Sequence, residues 1–238
     1  MENQLHKKDS PINSKHSIKW NGITCSAKSE RVTELDLKGI YLQGTISPFL
    51  SNLSRIELLE LSDNSFQGPI PAELGALSSL ELLGIAGNLK QYEIPESFSM
   101  LSELRYINLR NNQLHGSLPT SLFYNCTQQG YLDLSNNSFT GFIPSKIGNH
   151  LLYLENLLLY LNQLSGGIAA PLSNSTPMVE IDPENNFLSG TLPSNISIQM
   201  PSPEILHLFY NIFSSDEHNS NLDHFFLYNC KFDSFEGD

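Results

Sequence analysis

Only three cysteines, Cys25, Cys126 and Cys230, occur in 238 residues, too few for a disulfide framework. Cys25 and Cys230 lie near opposite ends of the repeated region and are too far apart to bridge. Cys126, within "YNCT", reads as a small buried residue. Basic residues are also scarce: 13 Lys and Arg stand against 25 Asp and Glu, and residues 32–238 hold 7 against 22. That balance excludes nucleic acid as a partner, because its phosphates require a basic surface. No run of about 18 apolar residues is present, so no membrane span is expected. The residues before Val32 carry no apolar run of signal-peptide length. Chemical motifs are missing too. The chain has no Gly-rich phosphate loop, no G-x-S-x-G elbow, no H-E-x-x-H and none of the kinase phrases H-R-D or D-F-G. A non-catalytic chain without cofactor or bound metal is expected. Asp216, Glu217, His218, Asp223 and His224 are metal-ligand types, but they lack regular spacing and read as a solvated loop.

What the chain has in abundance is repetition. "NSFQGPIP" (64–71) returns as "NQLHGSLP" (112–119), "NSFTGFIP" (137–144) and "NFLSGTLP" (186–193). Units begin at Val32, Ile56, Leu80, Leu104, Gln129, Leu154, Met178 and Pro203, in steps of 24 or 25 residues. Apolar residues fill places one, four, six and eleven, as in Ile56, Leu59, Leu61 and Phe66. Asn holds place nine in seven of the eight units, from Asn64 to Asn211. L-x-x-L-x-L-x-x-N at this period is the leucine-rich-repeat signature, in which each unit buries its apolar face only by stacking on neighbours. The alternation in "LLELSDN" (58–64) predicts a short strand with Leu59 and Leu61 inward. The place-nine amide is expected to turn inward and satisfy backbone groups left unpaired at the bend. Gly at place thirteen permits a tight bend. Amphipathic helices would require a 3.6-residue period, which these windows lack. The expected fold is an α/β solenoid: a right-handed leucine-rich-repeat superhelix with a parallel β-sheet on its concave face and short 3-10 or helical turns on its convex face.

The phrase L-x-x-N-x-F/L-x-G-x-I/L-P resembles the plant-specific class of leucine-rich repeat. That class is found in ectodomains of receptor-like kinases, in receptor-like proteins and in polygalacturonase inhibitors. "WNGITCSAKSERVTELDL" (20–37) resembles the end of the cap before the first repeat of those receptors. "GTISPFLSNLSRIELLELSDNSFQGPIPAELGALSSLE" (44–81) is similar to the receptor-kinase branch that senses bacterial patterns. The likeness covers about residues 16–213. Against the family pattern, Ile18 stands where a Cys pairs with the equivalent of Cys25, which implies a degenerate cap. Lys90 and Tyr92 replace the place-eleven apolar residue and the Gly of unit three, so a local distortion is expected there. Ala169 replaces a Pro, and Ser215, Glu217 and His218 end the pattern. The division expected is a partial cap at 1–31, repeats at 32–215 and a divergent tail at 216–238.

The resemblance implies a peptide- or protein-binding, ligand-sensing ectodomain of a receptor-like serine/threonine kinase in defence or developmental signalling. Its location would be extracellular or at the plasma membrane, and a co-receptor kinase ectodomain would be a further partner. A soluble inhibitor of a cell-wall hydrolase and a truncated product without independent function are the alternatives. Acceptor motifs N-x-S/T occur at Asn52, Asn125, Asn136, Asn174 and Asn195. In repeat geometry, places three, five, seven and eight project from the concave face. Tyr106, Arg110, Tyr131, Asp133, Leu158 and Tyr160 form the candidate ligand-binding surface. The three tyrosines are expected to trace an oblique aromatic path, and Arg110 and Asp133 to hold the ends of an extended peptide. A glycan at Asn136 would crowd that face.

Overall fold

A computed structural model of the chain describes residues 20–144, 147, 151–168, 180–191 and 205–214. Expectations for Ile18, Ala169, Asn174, Asn195, Ser215, Cys230 and the group Asp216 to His224 fall outside these residues, as does the tail 216–238.

Alternating leucines build the first layer. Strands Ile23–Cys25, Val32–Asp36, Leu58–Glu60, Leu82–Gly84, Tyr106–Asn108, Tyr131–Asp133, Asn156–Leu158, Glu180–Asp182 and Ile205–Leu206 lie side by side in one sheet. Register advances one unit per strand, so that Leu35, Leu59, Leu83, Ile107, Leu132, Leu157 and Ile181 stand in a single buried row. Among the described residues all pairings are parallel except the first, where Ile23–Cys25 runs antiparallel to Val32–Asp36 and covers the start of the stack. A solenoid end needs such a cover because its last repeat otherwise exposes an apolar edge.

Among the described residues, the segment after place nine of each unit forms a second sheet of eight strands, Gln43–Thr45, Ser65–Gly68, Leu89–Tyr92, Gln113–Ser117, Ser138–Phe142, Gln163–Gly166, Phe187–Thr191 and Ile212–Ser214. The sequence pattern indicated an extended stretch here, but not its pairing. On the third side lie 3-10 turns Pro48–Asn52, Ala72–Ala76 and Glu96–Met100 and the short α-helix Thr120–Asn125. They pack so closely that a Cβ on Gly75 would approach Ser97 O to 2.5 Å. Cys126 is buried in this layer, its thiol donating to Phe98 O at 3.3 Å, and burial pushes that thiol up to about 11.

The expected amide ladder is present. Asn137 donates from Nδ2 to Leu109 O, Leu134 O and Ser135 O at 3.0–3.1 Å, and its Oδ1 accepts from Leu114 N at 3.0 Å. Asn64, Asn88, Asn112, Asn162, Asn186 and Asn211 repeat the pattern, each tied to the preceding unit. Unit one has Ile40 at this place, half exposed.

Unit three corrects the expectation of a distortion. Its strand Leu89–Tyr92 pairs in register with both neighbours. Lys90 occupies the apolar slot with 0% exposure, its stem lying where Phe66 or Leu114 lies in other units. Its ammonium donates to Gln67 O at 3.0 Å and Pro69 O at 2.6 Å. Two carbonyl acceptors make the burial tolerable, although burial still lowers its pKa to about 8. Tyr92 adopts the left-handed conformation of the Gly it replaces, φ 72°, so the strain falls on one residue and not on the sheet.

Two predictions arise from this interior. Asn137→Ala strips one buried backbone N–H and three carbonyls of their shared partner, and is expected to lower stability by about 2–4 kcal/mol in urea unfolding. Lys90 titrates near 10.5 in the unfolded chain and about 8 in the native one. Between those values the unfolded state binds the extra proton, so this group's contribution rises with pH; below about 8 its full penalty is present. Lys90→Met should therefore be most stabilising, relative to the parent, at pH 7. That advantage should shrink by about 2–3 kcal/mol at pH 10, and equal differences at the two pH values would show that Lys90 is not desolvated.

Candidate functional site

Place three of each strand, two residues before place five and four before place seven, puts three parallel rows of side chains on the concave sheet. Tyr106 and Tyr131 are register partners, and their rings stack at 4.5 Å between centroids with planes 7° apart. Asn108 Nδ2 donates to the Tyr106 hydroxyl and Tyr131 donates to Asp133 Oδ2, each at 3.4 Å. The pair is half-buried and held from below. Burial, then the charge of Asp133, pushes the Tyr131 hydroxyl well above its ordinary value, so it stays a protonated donor.

Arg110 lies apart from that stack, exposed, with Cζ 5.4 Å from the centroid of the Tyr160 ring. These two residues are two units apart. Ser135, at the same place on the intervening strand, is fully buried, and the guanidinium spans it to reach the ring. The tyrosines thus form two elements, a stacked pair and a cation–π pair, in place of one continuous path.

Asp133 is placed differently from its expected role. It is 2% exposed; Oδ1 accepts from the Ser135 amide at 3.0 Å and from the Ser135 hydroxyl, and Oδ2 from Tyr131. Burial pushes its carboxyl up, while the Ser135 hydrogen bonds and Arg110 pull it down. Its oxygens are occupied inside the wall, so it positions Tyr131 and leaves Arg110 to meet a ligand. Leu158, the register partner of both Asp133 and Asp182, is half-buried between them.

Place eight adds a backbone feature to the expected exposure. Gly39, Asp63, Gly87, Asn111, Asn136, Leu161, Asn185 and Tyr210 all have φ between 50° and 64°, so this place is a left-handed corner and not a strand position. Asn, Asp and Gly tolerate that conformation. This accounts for Asn136 without a glycan. Its Nδ2 moreover donates to Asn111 Oδ1. Asn52 and Asn125, by contrast, are exposed at the ends of convex turns.

At the far end of the sheet, three further residues converge that sequence inspection did not single out as a set. Glu180, Asp182 and His207 place their ligand-type atoms within 4.8 Å of one another, with His207 Nδ1 3.3 Å from Asp182 Oδ2. Both Asp182 and His207 hold place five, one unit apart, so the repeat register contained the signal. Glu184 beside them has its carboxyl pushed up by burial and by Asp182.

Comparison with known proteins agrees with the geometry. The Leucine Rich Repeat family model matches residues 55–77, 103–125 and 131–150. A putative leucine-rich repeat receptor-like serine/threonine-protein kinase of Arabidopsis thaliana is 44% identical over 210 residues, 87% of this chain and 21% of the relative. The chain therefore spans about a fifth of that relative's length. The solved structure of PEPR1 with AtPEP1 superposes with a TM-score of 0.75 at 33% identity, over 82% of this chain and 27% of that one. The Arabidopsis receptor kinase HAESA, solved with the peptide hormone IDA and the co-receptor SERK1, gives 0.65 at 30% identity, over 76% of this chain and 34% of that one.

The acceptor geometry makes a prediction. Expressed behind an added signal peptide in insect cells, the chain should carry glycans at Asn52 and Asn125 and none at Asn136. Intact mass before and after deglycosylation, in the parent and in Asn→Gln variants, measures this. Occupancy at Asn136 would mean that its amide is not held by Asn111.

Proposed function

For this leucine-rich-repeat protein, homologous to the plant leucine-rich-repeat receptor-like kinases, we propose a role in extracellular ligand recognition: it binds an extended peptide along the concave sheet and performs no chemistry itself. The observation that carries this reading is the pairing of exposed Arg110 with half-buried Tyr160 beside the Tyr106–Tyr131 stack. Aromatic side chains and Arg are the types in which interface energy concentrates. A cation already seated on a ring is pre-ordered, so little side-chain freedom is lost when it takes up a carboxylate. The stacked rings, rigid and apolar on their outer face, suit a hydrophobic peptide residue offset from that charge by about four residues along the strand direction.

Support comes from the neighbours. Of the solved structures of similar fold, that of HAESA holds a peptide hormone and a co-receptor. By that likeness, a peptide and a receptor-kinase co-receptor are the partners proposed for this chain, acting outside the cell at the plasma membrane. The acidic residues around the pair, among them Glu60, Asp63, Glu180 and Glu184, favour a ligand with cationic residues flanking its single acidic anchor. Glu180 and Glu184 lie on the C-terminal side, where such a residue would be drawn.

Panning a phage-displayed peptide library on the chain tests the reading. Enriched peptides are expected to bind Tyr131→Ala and Tyr160→Ala each about 5- to 30-fold more weakly, equivalent to about 1–2 kcal/mol. Arg110→Ala should weaken binding and reduce its salt dependence. Enriched peptides that bind all three variants as tightly as the parent, with circular dichroism unchanged, would place recognition on another face.

A further inference from the structure

We propose that Glu180, Asp182 and His207 bind a first-row divalent cation of the zinc class at the C-terminal end of the concave sheet. The strand Glu180–Asp182 alternates, so its two acidic residues share the concave face with Ile181 buried between them. Glu180 pairs with Ile205 and Ile181 with Leu206, which brings His207 opposite Asp182 on the next strand. The trio is thus set by sheet register and not by a loose side-chain encounter.

The distances suit a small cation. Ligand atoms at about 2.0 Å from a tetrahedral ion stand about 3.3 Å apart, and His207 Nδ1 and Asp182 Oδ2 are 3.3 Å apart. The longest separation, within 4.8 Å, can exceed by about 1 Å the roughly 3.6 Å that two bonds of about 2.2 Å subtend at a tetrahedral ion. Because His207 and Asp182 already stand 3.3 Å apart, the closing movement falls on the Glu180 side chain, which reaches the ion by changing rotamer.

The surroundings leave the right atoms free. Asp182 Oδ1 accepts from the Glu184 amide at 3.1 Å, which fixes the carboxylate and leaves Oδ2 toward His207. Glu180 Oε2 accepts from Asn156 Nδ2 at 3.1 Å, which leaves Oε1 for an ion. Partners of this kind orient metal ligands. Asp182 is 8% exposed, with half-buried Glu180 and Glu184 close by, so the cluster gathers negative charge around a poorly solvated carboxylate, and among the described residues the His207 imidazole is what opposes it. A cation at the centre offsets that crowding.

One imidazole nitrogen with two carboxylate oxygens suits zinc or its neighbours better than calcium, which takes six to eight oxygens. Three protein donors leave a fourth position facing the groove, open to water or to a carboxylate. The competing account is an imidazolium–carboxylate pair between His207 and Asp182, with no ion.

Calorimetric titration of the chelator-treated full chain with zinc chloride, and separately with calcium chloride, decides between these accounts. It requires no peptide, so its outcome is independent of the peptide-binding reading. Zinc is expected to bind as one ion through this trio and to raise Tm, with His207→Ala and Glu180→Gln each weakening it by at least about tenfold. Asp182→Asn should do the same, and circular dichroism reports whether that buried change disturbs folding. Absence of stoichiometric zinc binding, calcium binding as tight as zinc, or zinc binding equal in the parent and in both folded variants His207→Ala and Glu180→Gln would overturn the proposal.

Discussion

The molecule depends on a backbone problem. A chain that leaves one sheet, turns a corner and enters a second sheet every 24 or 25 residues strands several polar backbone groups at each corner, and the core offers no water to satisfy them. A single amide side chain solves this. It is one of the few groups that can accept one N–H and donate to several carbonyls from one point. Because each Asn takes a carbonyl from the preceding unit as well as its own, the solution is also the joint between units. Corner geometry and stacking are therefore coupled, and neither sheet can be altered at one repeat without straining the next.

That coupling explains how unit three absorbs two residues hostile to the pattern. Lys90 and Tyr92 sit on either side of Gln91, just past the Asn88 corner. The bonds from Asn88 to Leu61, Ile85 and Ala86 and from Lys90 N to Asn112 are intact there. With the frame held by these bonds and by two sheets, the cheapest response to a lysine in an apolar slot is local. The ammonium finds Gln67 O and Pro69 O. A positive φ at Tyr92 costs of order 1 kcal/mol, small against the several hydrogen bonds that a shifted strand would lose.

The same distinction decides what was legible in the sequence. Periodicity reveals residues whose role repeats, and so the leucine rows, the amide ladder and the place-thirteen bends could be read from Leu59, Asn64 and Gly68 alone. Pairing of the second sheet is invisible to that method, because segments such as "SFQG" and "QLHGS" alternate no more clearly than an unpaired extended stretch. Place eight carried a second signal for a related reason: besides lying on the surface, Asn, Asp and Gly there tolerate the left-handed backbone that this place adopts in every unit. The candidate surface was legible as to face and not as to contact. That Tyr106 meets Tyr131 follows from register, but that Asp133 is spent inside the wall depends on Ser135 donating to it twice. No period encodes that. Asp182 and His207 were readable in principle, since equal places in adjacent units are neighbours.

Side chains at places three, five and seven take no part in the amide ladder, which uses only backbone groups there, so their identity is free to vary while the frame stays constant. The freedom is not complete, because neighbours across strands share space. Gly84 illustrates the limit: a Cβ there would come to 2.2 Å of the Glu60 carboxylate, which lies across it. Ser135 illustrates the opposite use of the same rule. A small residue on one strand lets the side chains of the two flanking strands meet above it, as Arg110 and Tyr160 do. A recognition surface on this scaffold is thus shaped as much by its small residues as by its large ones. A bulky residue at 135 would separate the cation from its ring and also withdraw the hydroxyl that holds Asp133 beneath Tyr131. One position of no apparent chemistry therefore governs both elements of the candidate site.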